Sequence, residues 1–216
     1  MTKIKFLATG DIHSDLEFSK KIAKNINMKD MEFVILIGDI SEKKDDYGKL
    51  LSVFNGKQIF MVPGNHESKN KIKILEEHYN VNLIGNSPLK INEDLAIFGT
   101  NYLNIGVHGI PEEEVFENLI ENYLAVKDIK FKIHISHIPP AQTRIGEMSP
   151  FAPFIGGSHA QRLFLEHFSP DVSLVGHIHE SSGLEEIVNK TKVINVGQTF
   201  KIFEFDTDTK ELRVLG

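Results

Sequence analysis

Lys3-Ile4-Lys5-Phe6-Leu7-Ala8-Thr9-Gly10-Asp11-Ile12-His13 begins as an apolar run of strand character and ends in a turn that presents a carboxylate and an imidazole two positions apart. The pattern recurs. Phe33 to Ile37 leads into Gly38-Asp39, Ile59 to Val62 into Gly64-Asn65-His66-Glu67, and Val172 to Val175 into Gly176-His177-Ile178-His179. A less purely apolar run, Phe131 to Ser136, ends at a lone His137 ahead of Pro139-Pro140. Strand ends deliver side chains to a common edge, and in open α/β sheets ligands bind at the carboxyl edge. Five such segments in order predict an α/β fold with one polar site assembled at strand ends.

The connecting segments support this reading. Leu16, Ile22, Ala23 and Ile26 share a helical face over residues 16–26, a short helix is expected around Tyr47 to Phe54, and Ile72, Leu75 and Tyr79 mark a helix ending near Asn80. Short strands are expected at Val81 to Ile84 and Leu95 to Gly99. Pro111 opens an acidic surface helix to Val126, with Glu112, Glu113 and Glu114 complementing the helix dipole. Ser158 is a candidate N-cap for a helix to Phe168, where Leu163, Phe164 and His167 share a face and Pro170 stops the run. Residues 139–157, rich in Pro and Gly, are too irregular for helix or strand, and a loop of that length is often a lid or binding loop. Alternating runs at 193–196, 201–205 and 211–214 predict an antiparallel finish to the sheet.

With 216 residues, 41% hydrophobic and 25% charged, the chain reads as one globular domain spanning 1–216. A formal charge of -6 argues against nonspecific coating of nucleic acid or anionic membrane, since such binding needs summed positive charge. The absence of Cys removes disulfides and thiolate ligands, leaving His, Asp, Asn and water to hold any metal. The first strand begins without room for a signal peptide, and no stretch approaches the roughly 20 apolar residues of a membrane span. A soluble cytoplasmic protein with no membrane partner is expected.

Carboxylate, amide oxygen and imidazole suit hard or borderline divalent cations, and two such ions about 3.5 to 4 Å apart can clamp the attacking and leaving oxygens of a phosphoryl group. Asp39, a lone Asp between ligand-bearing strands, can offer an oxygen to each ion. A water held between the ions becomes a hydroxide nucleophile near neutral pH, so the protein needs only an acid. His66, beside Asn65 in the Gly64 turn, can protonate the leaving oxygen.

In its ordered motifs, Asp11-x-His13, Gly38-Asp39, Gly64-Asn65-His66-Glu67, His137 and Gly176-His177-x-His179, the chain resembles the calcineurin-like metallophosphoesterase superfamily over nearly its whole length. The resemblance implies that Asp11, His13, Asp39 and His179 hold one metal, that Asp39, Asn65, His137 and His177 hold the other, and that His66 is catalytic. It also implies a four-layer α/β/β/α sandwich of two mixed sheets flanked by helices, with the site between the sheets. Two divalent ions are the expected cofactors, manganese first, with iron, nickel, cobalt or zinc as alternatives. Glu42 stands where many members carry Asp three positions after the bridging residue, in a role that orients the catalytic histidine. The segments His137-Ile138-Pro139-Pro140, Gly157-Ser158 and 176–181 are similar to a small phosphodiesterase-like branch. Protein serine/threonine phosphatases carry an Arg after each of two motifs, and this chain has none near Asp39 and has Ser68 and Lys69 at the second place.

The expected activity is therefore hydrolysis of a small phosphate diester, a nucleotide being one candidate substrate, with a phosphomonoesterase as the alternative. A nuclease and a non-catalytic scaffold of the same fold are weaker alternatives, because the charge offers DNA little to hold and every expected ligand is present. Self-association into a homo-oligomer stays open. Of the other histidines, His134 reads as packed within its strand or against a helix, His78, His108 and His167 as surface or helix-flank residues, and His159 is better placed to meet substrate. Arg144 is a candidate phosphate grip or a solvated loop residue, Phe151 and Phe154 are expected to bury against the protein's own surface or a second copy, with capping of the site or stacking on a base as the alternative, and Asn195 and Gln198 read as turn residues at a strand end.

Overall fold

Hydrophobic strands with no polar face need cover on both sides, and the sequence supplies several. The computed structural model describes residues 3–85, 87–101, 103, 109–149 and 156–215. In it β1 (Lys3–Thr9), β2 (Phe33–Ile37), β3 (Gln58–Val62) and β4 (Val81–Leu83) run parallel to one another, and β11 (Phe200–Asp206) and β12 (Glu211–Val214) add antiparallel strands beside β1. This gives a six-stranded mixed sheet in the order β12-β11-β1-β2-β3-β4. A second six-stranded mixed sheet has the order β5-β6-β7-β8-β10-β9, from β5 (Leu89–Lys90), β6 (Leu95–Gly99), β7 (Phe131–Ile135), β8 (Val172–Val175), β9 (Glu185–Val188) and β10 (Thr191–Asn195).

Strand alternation decides what lies between the layers. Phe6, Ala8, Ile35, Ile37 and Val62 of the first sheet meet Ile97, Ile133, Ile135, Leu174 and Ile194 of the second in one buried core, so the sheets pack face to face. Phe6 stacks on Phe33 and Phe203 at ring separations of 4.9 and 5.0 Å, tying three adjacent strands of the inner face. Each such side chain removed from water contributes roughly 1.5–3 kcal/mol. The intervening residues Leu7, Val34, Leu36 and Met61 face outward onto α1 (Leu16–Asn25), α2 (Tyr47–Leu51) and α3 (Lys69–Tyr79). On the far side, Ala96, Phe98, Val175 and Val193 pack on α4 (Glu112–Leu124) and α6 (His159–Phe168). The result is the four-layer α/β/β/α arrangement.

Several sequence expectations need correction. The antiparallel finish holds for β11 and β12, but β10 pairs parallel to β8 in the other sheet, after a hairpin with β9. The chain then crosses between sheets at residues 196–199. Local alternation carries no information about which sheet a strand joins. Residues 139–157 are not wholly irregular: the side chain of Thr143 caps a one-turn helix, α5 (Arg144–Glu147). On α6 the buried face is Ala160, Gln161, Phe164 and Leu165, while Leu163 and His167 are exposed, and on α1 Ser19 rather than Ala23 is buried. No helix among the described residues is long and apolar enough to cross a membrane.

Candidate functional site

The carboxyl ends of β1, β2, β3, β7 and β8 meet where the two sheets abut, and the turns that leave them are unusually tight. The amides of Asp11, His13 and Ser14 donate to the carbonyls of Gly38, Asp39 and Ile40 at 3.0, 3.0 and 3.1 Å, extending the β1–β2 contact beyond the strands. Asp11, His13, Asp39 and His177 all have left-handed backbones, with φ of 49°, 47°, 52° and 68°. For a non-glycine residue this costs about 1–2 kcal/mol, and such strain collects at functional sites. Two glycines make the crowding feasible. A Cβ on Gly64 would collide with the carboxylate of Asp39, and one on Gly197 with that of Asp11.

Two groups of side chains converge within this frame. In the first, Nε2 of His179 lies 3.5 Å and Nε2 of His13 lies 3.9 Å from Oδ1 of Asp11. In the second, Asp39, His137 and His177 bring their ligand atoms within 4.8 Å of one another. Asn65 adds Oδ1 at 3.1 Å from Nε2 of His137. Asp39 joins the groups through a single oxygen, since Oδ2 is 3.7 Å from His13 Nε2 and 3.3 Å from His137 Nε2. The structure thus gathers Asp11, His13, Asp39, Asn65, His137, His177 and His179 at one place, and His13 also belongs to a third group with Glu42 and His66.

The atoms left without partners fit a cation. Asp11 Oδ1 and His13 Nε2 are buried and accept or donate no hydrogen bond, an expensive condition for a carboxylate in a protein interior. His137 donates Nδ1–H to the carbonyl of Ile37 at 2.9 Å, which leaves the Nε2 lone pair facing Asp39 and Asn65. Without metal, this imidazole holds a proton instead. Burial opposes its charge, but the carboxylate of Asp39 outweighs burial and pushes His137 up to about 10. Asp39 responds in kind: burial would raise it, and the charge and hydrogen bond of His137 hold it well below the usual carboxylate range. A divalent ion held here would take the place of that proton, because an imidazole must be neutral to bind one.

Around these side chains stands a set of carboxylates with other tasks. Glu67, buried, accepts the amides of Asp39, Ile40 and Gly64 at 2.7, 2.9 and 2.8 Å, locking the β2 and β3 turns together. Burial and the neighbouring Asp39 raise its pKa, and the three amides counteract them. Glu42 lies 3.1 Å from Nδ1 of His13 and 2.9 Å from Nδ1 of His66, and the hydrogen bond with His13 lowers its pKa. His66 stands at the mouth, 39% exposed, with Nε2 3.9 Å from Asp39 Oδ2. Its amide donates to Asp39 Oδ1 at 2.9 Å. The Nζ of Lys71 donates to the carbonyls of Ser41 and His66, holding together the loops that carry Glu42 and His66.

Other sequence candidates fall outside this cluster. His134 is buried against Phe98 and Phe164, with Nδ1 2.8 Å from Ser173 Oγ, and His78 and His167 are exposed. His159 is exposed at the start of α6, where its amide donates to Glu112, and the backbone of Arg144 is held by Glu186. His108, Phe151 and Phe154 lie outside the described residues. Sequence reasoning passed over Glu67 and Gly197, and it read Asn195 and Gln198 as turn residues only. Asn195 is buried and binds Ile178 O, Ser181 Oγ and Gly197 N, and the amide of Gln198 reaches Nδ1 of His179 at 3.0 Å. The signal for Glu67 was present in its motif, while that for Gln198 is tertiary.

Comparison with known proteins agrees with this fold. The family profile described as calcineurin-like phosphoesterase matches residues 4–181. No curated protein sequence matches the chain. Among solved structures, the chain is similar to TT1561 of Thermus thermophilus, with 17% identity and a TM-score of 0.70 over 99% of this chain and 98% of that one. It is also similar to a phosphopantetheinyl hydrolase from Mycobacterium tuberculosis, with 12% identity and a TM-score of 0.64 over 90% and 89% of the two chains. At these identities the likeness is one of fold.

Proposed function

The chain belongs to the calcineurin-like phosphoesterase family, and from that membership we propose that it is a two-cation phosphodiesterase acting on small phosphate esters, nucleotides among them. The observation that carries the reading is the position of Asp39 Oδ2, which faces His13 on one side and His137 on the other. Asp11, His13, Asp39 and His179 would hold one cation, and Asp39, Asn65, His137 and His177 the second. Manganese is the proposed ion, and the protein is proposed to work as a single cytoplasmic domain. When bound, such a pair neutralises phosphoryl charge and brings the ionisation of water toward neutral pH.

The protein's own part is positioning and one proton. His66 donates Nδ1–H to Glu42, which leaves Nε2 as the atom directed at the centre. In the imidazolium form, Nε2–H gives its proton to the ester oxygen as the bond to phosphorus breaks, while Nδ1–H remains with Glu42. The exposure of His66 places this donor where an ester enters from solvent. Glu67 and Lys71 hold the backbone beneath Asp39 and His66, so the acid and the cation ligands share one rigid base.

Hydrolysis of bis(4-nitrophenyl) phosphate and 4-nitrophenyl phosphate, with manganese, nickel, cobalt and iron supplied in turn, tests the proposal. Faster turnover of the diester supports it, and a faster monoester makes the protein a phosphatase. No metal-stimulated turnover of either would end the enzyme reading. A His66→Ala protein that folds and binds metal without turning over substrate rules out a scaffold.

A further inference from the structure

Residues 196–199 carry the chain from one sheet to the other beside the proposed cation site, and hydrogen bonds anchor this crossing on both sides. Gln198 donates its amide to the carbonyl of Gly10 at 3.0 Å, immediately before Asp11, and Thr9 Oγ1 donates to Thr199 O at 2.6 Å. On the other side, Asn195 accepts the amide of Gly197 and donates to Ile178 O, immediately before His179. The crossing is therefore tied to both loops that supply the first group of ligands.

Gln198 itself is strained. Its φ is 48°, a left-handed value that favours glycine, asparagine or aspartate. A plain turn would place one of those residues here. The side chain instead places Nε2 3.0 Å from Nδ1 of His179, whose own Nε2 faces Asp11. An imidazole that offers Nε2 to a cation must carry its proton on Nδ1, so the partner at Nδ1 must accept. The amide as placed turns its Nε2 end to the ring; the flipped amide, equal in shape, turns Oε1 there and accepts, and that is the orientation a cation on Nε2 of His179 requires.

We propose that Gln198 is a positioning residue that selects the Nδ1–H tautomer of His179 and thereby sets the affinity of the cation position formed with Asp11 and His13. The proposal rests on the two-cation reading of the site. It assigns the left-handed strain at residue 198 to cation binding and not to the turn.

Two substitutions separate these roles. Gln198→Gly removes the amide and the strain together, so the metal-free protein is expected to melt at the same temperature as the parent or higher. Manganese titration by calorimetry is expected to show one of the two binding events weakened by roughly 10- to 100-fold, the usual cost of losing an outer partner. Gln198→Glu keeps an acceptor on Nδ1 and is expected to retain both events. Nitrogen-15 correlation spectra of the metal-free parent, taken at alkaline pH where the ring is neutral, should show His179 protonated on Nδ1. Equal manganese affinities in parent and Gln198→Gly, or an Nε2–H tautomer in the parent, would overturn the proposal. A parent that binds no pair of cations, or that binds them unchanged after His179→Ala, would refute the two-cation reading itself.

Discussion

Glu42 and His66 form a pair in which a carboxylate oxygen lies 2.9 Å from the ring Nδ1, and the same carboxylate also reaches His13 at 3.1 Å. An aspartate at residue 42 would be one methylene shorter. The glutamate spans both rings, so one residue orients a proposed cation ligand and the proposed acid.

Replacing Glu42 by Gln should therefore lower kcat on bis(4-nitrophenyl) phosphate by about 10- to 100-fold with little change in KM, because orientation is lost and substrate contacts are not. Glu42→Asp keeps the charge but not the reach, and should fall between the two. Steady-state kinetics of the three proteins would decide it, and full activity in Glu42→Gln would remove Glu42 from the mechanism.

Asp39→Asn preserves size and tolerates the left-handed backbone, so the protein should fold. It removes the charge that faces His13 and His137. Bound manganese after dialysis, measured by elemental analysis, should fall from about two ions per chain to one or fewer. Retention of two ions would show that Asp39 does not bridge.

Glu67 is expected to matter for stability before activity. Glu67→Ala leaves the buried amides of Asp39, Ile40 and Gly64 without an acceptor. At about 1–3 kcal/mol for each orphaned group, the loss should be at least about 3 kcal/mol, less whatever entering water restores. Urea unfolding of the metal-free proteins measures it, and a loss below 1 kcal/mol would contradict this account.

His134 predicts the acid limb of stability. Burial lowers its pKa from 6.5 to about 3, so the native state stays unprotonated there while the unfolded chain takes up a proton below pH 6.5. Stability therefore falls as pH drops from 6.5 toward 3, by about 2 kcal/mol at pH 5 from this group alone. Comparing parent and His134→Phe unfolding at pH 7.5 and 5.0 should show a smaller decrease in the variant. Equal decreases would mean His134 is solvated.

The five polar segments were legible because each is local: in four of them a strand ends, a glycine permits the turn and the candidate ligand follows within three residues, and in the fifth His137 follows its strand directly. Asp11, His13, Asp39, Asn65, His137, His177, His179 and His66 all lie in those segments, the family resemblance implied their roles, and the structure brings all eight together. Gln198 illustrates what was not legible. It lies 19 positions from His179, in a stretch whose own pattern reads as a turn, and its contact arises because the chain changes sheets there. Glu67 sat within a recognised motif, yet its three amide partners belong to two turns brought together only by β2–β3 pairing.

Order and spacing along the chain thus determined the candidate ligand types, their sequence and the strands that carry them, since those depend on hydrophobic periodicity and turn chemistry within a few residues. Tertiary packing alone decided which sheet β10 enters, that one oxygen of Asp39 serves both groups, and that Glu42 holds two rings at once. Those outcomes depend on distances between segments far apart in the chain, and such distances exist only after two buried sheet faces have closed on each other.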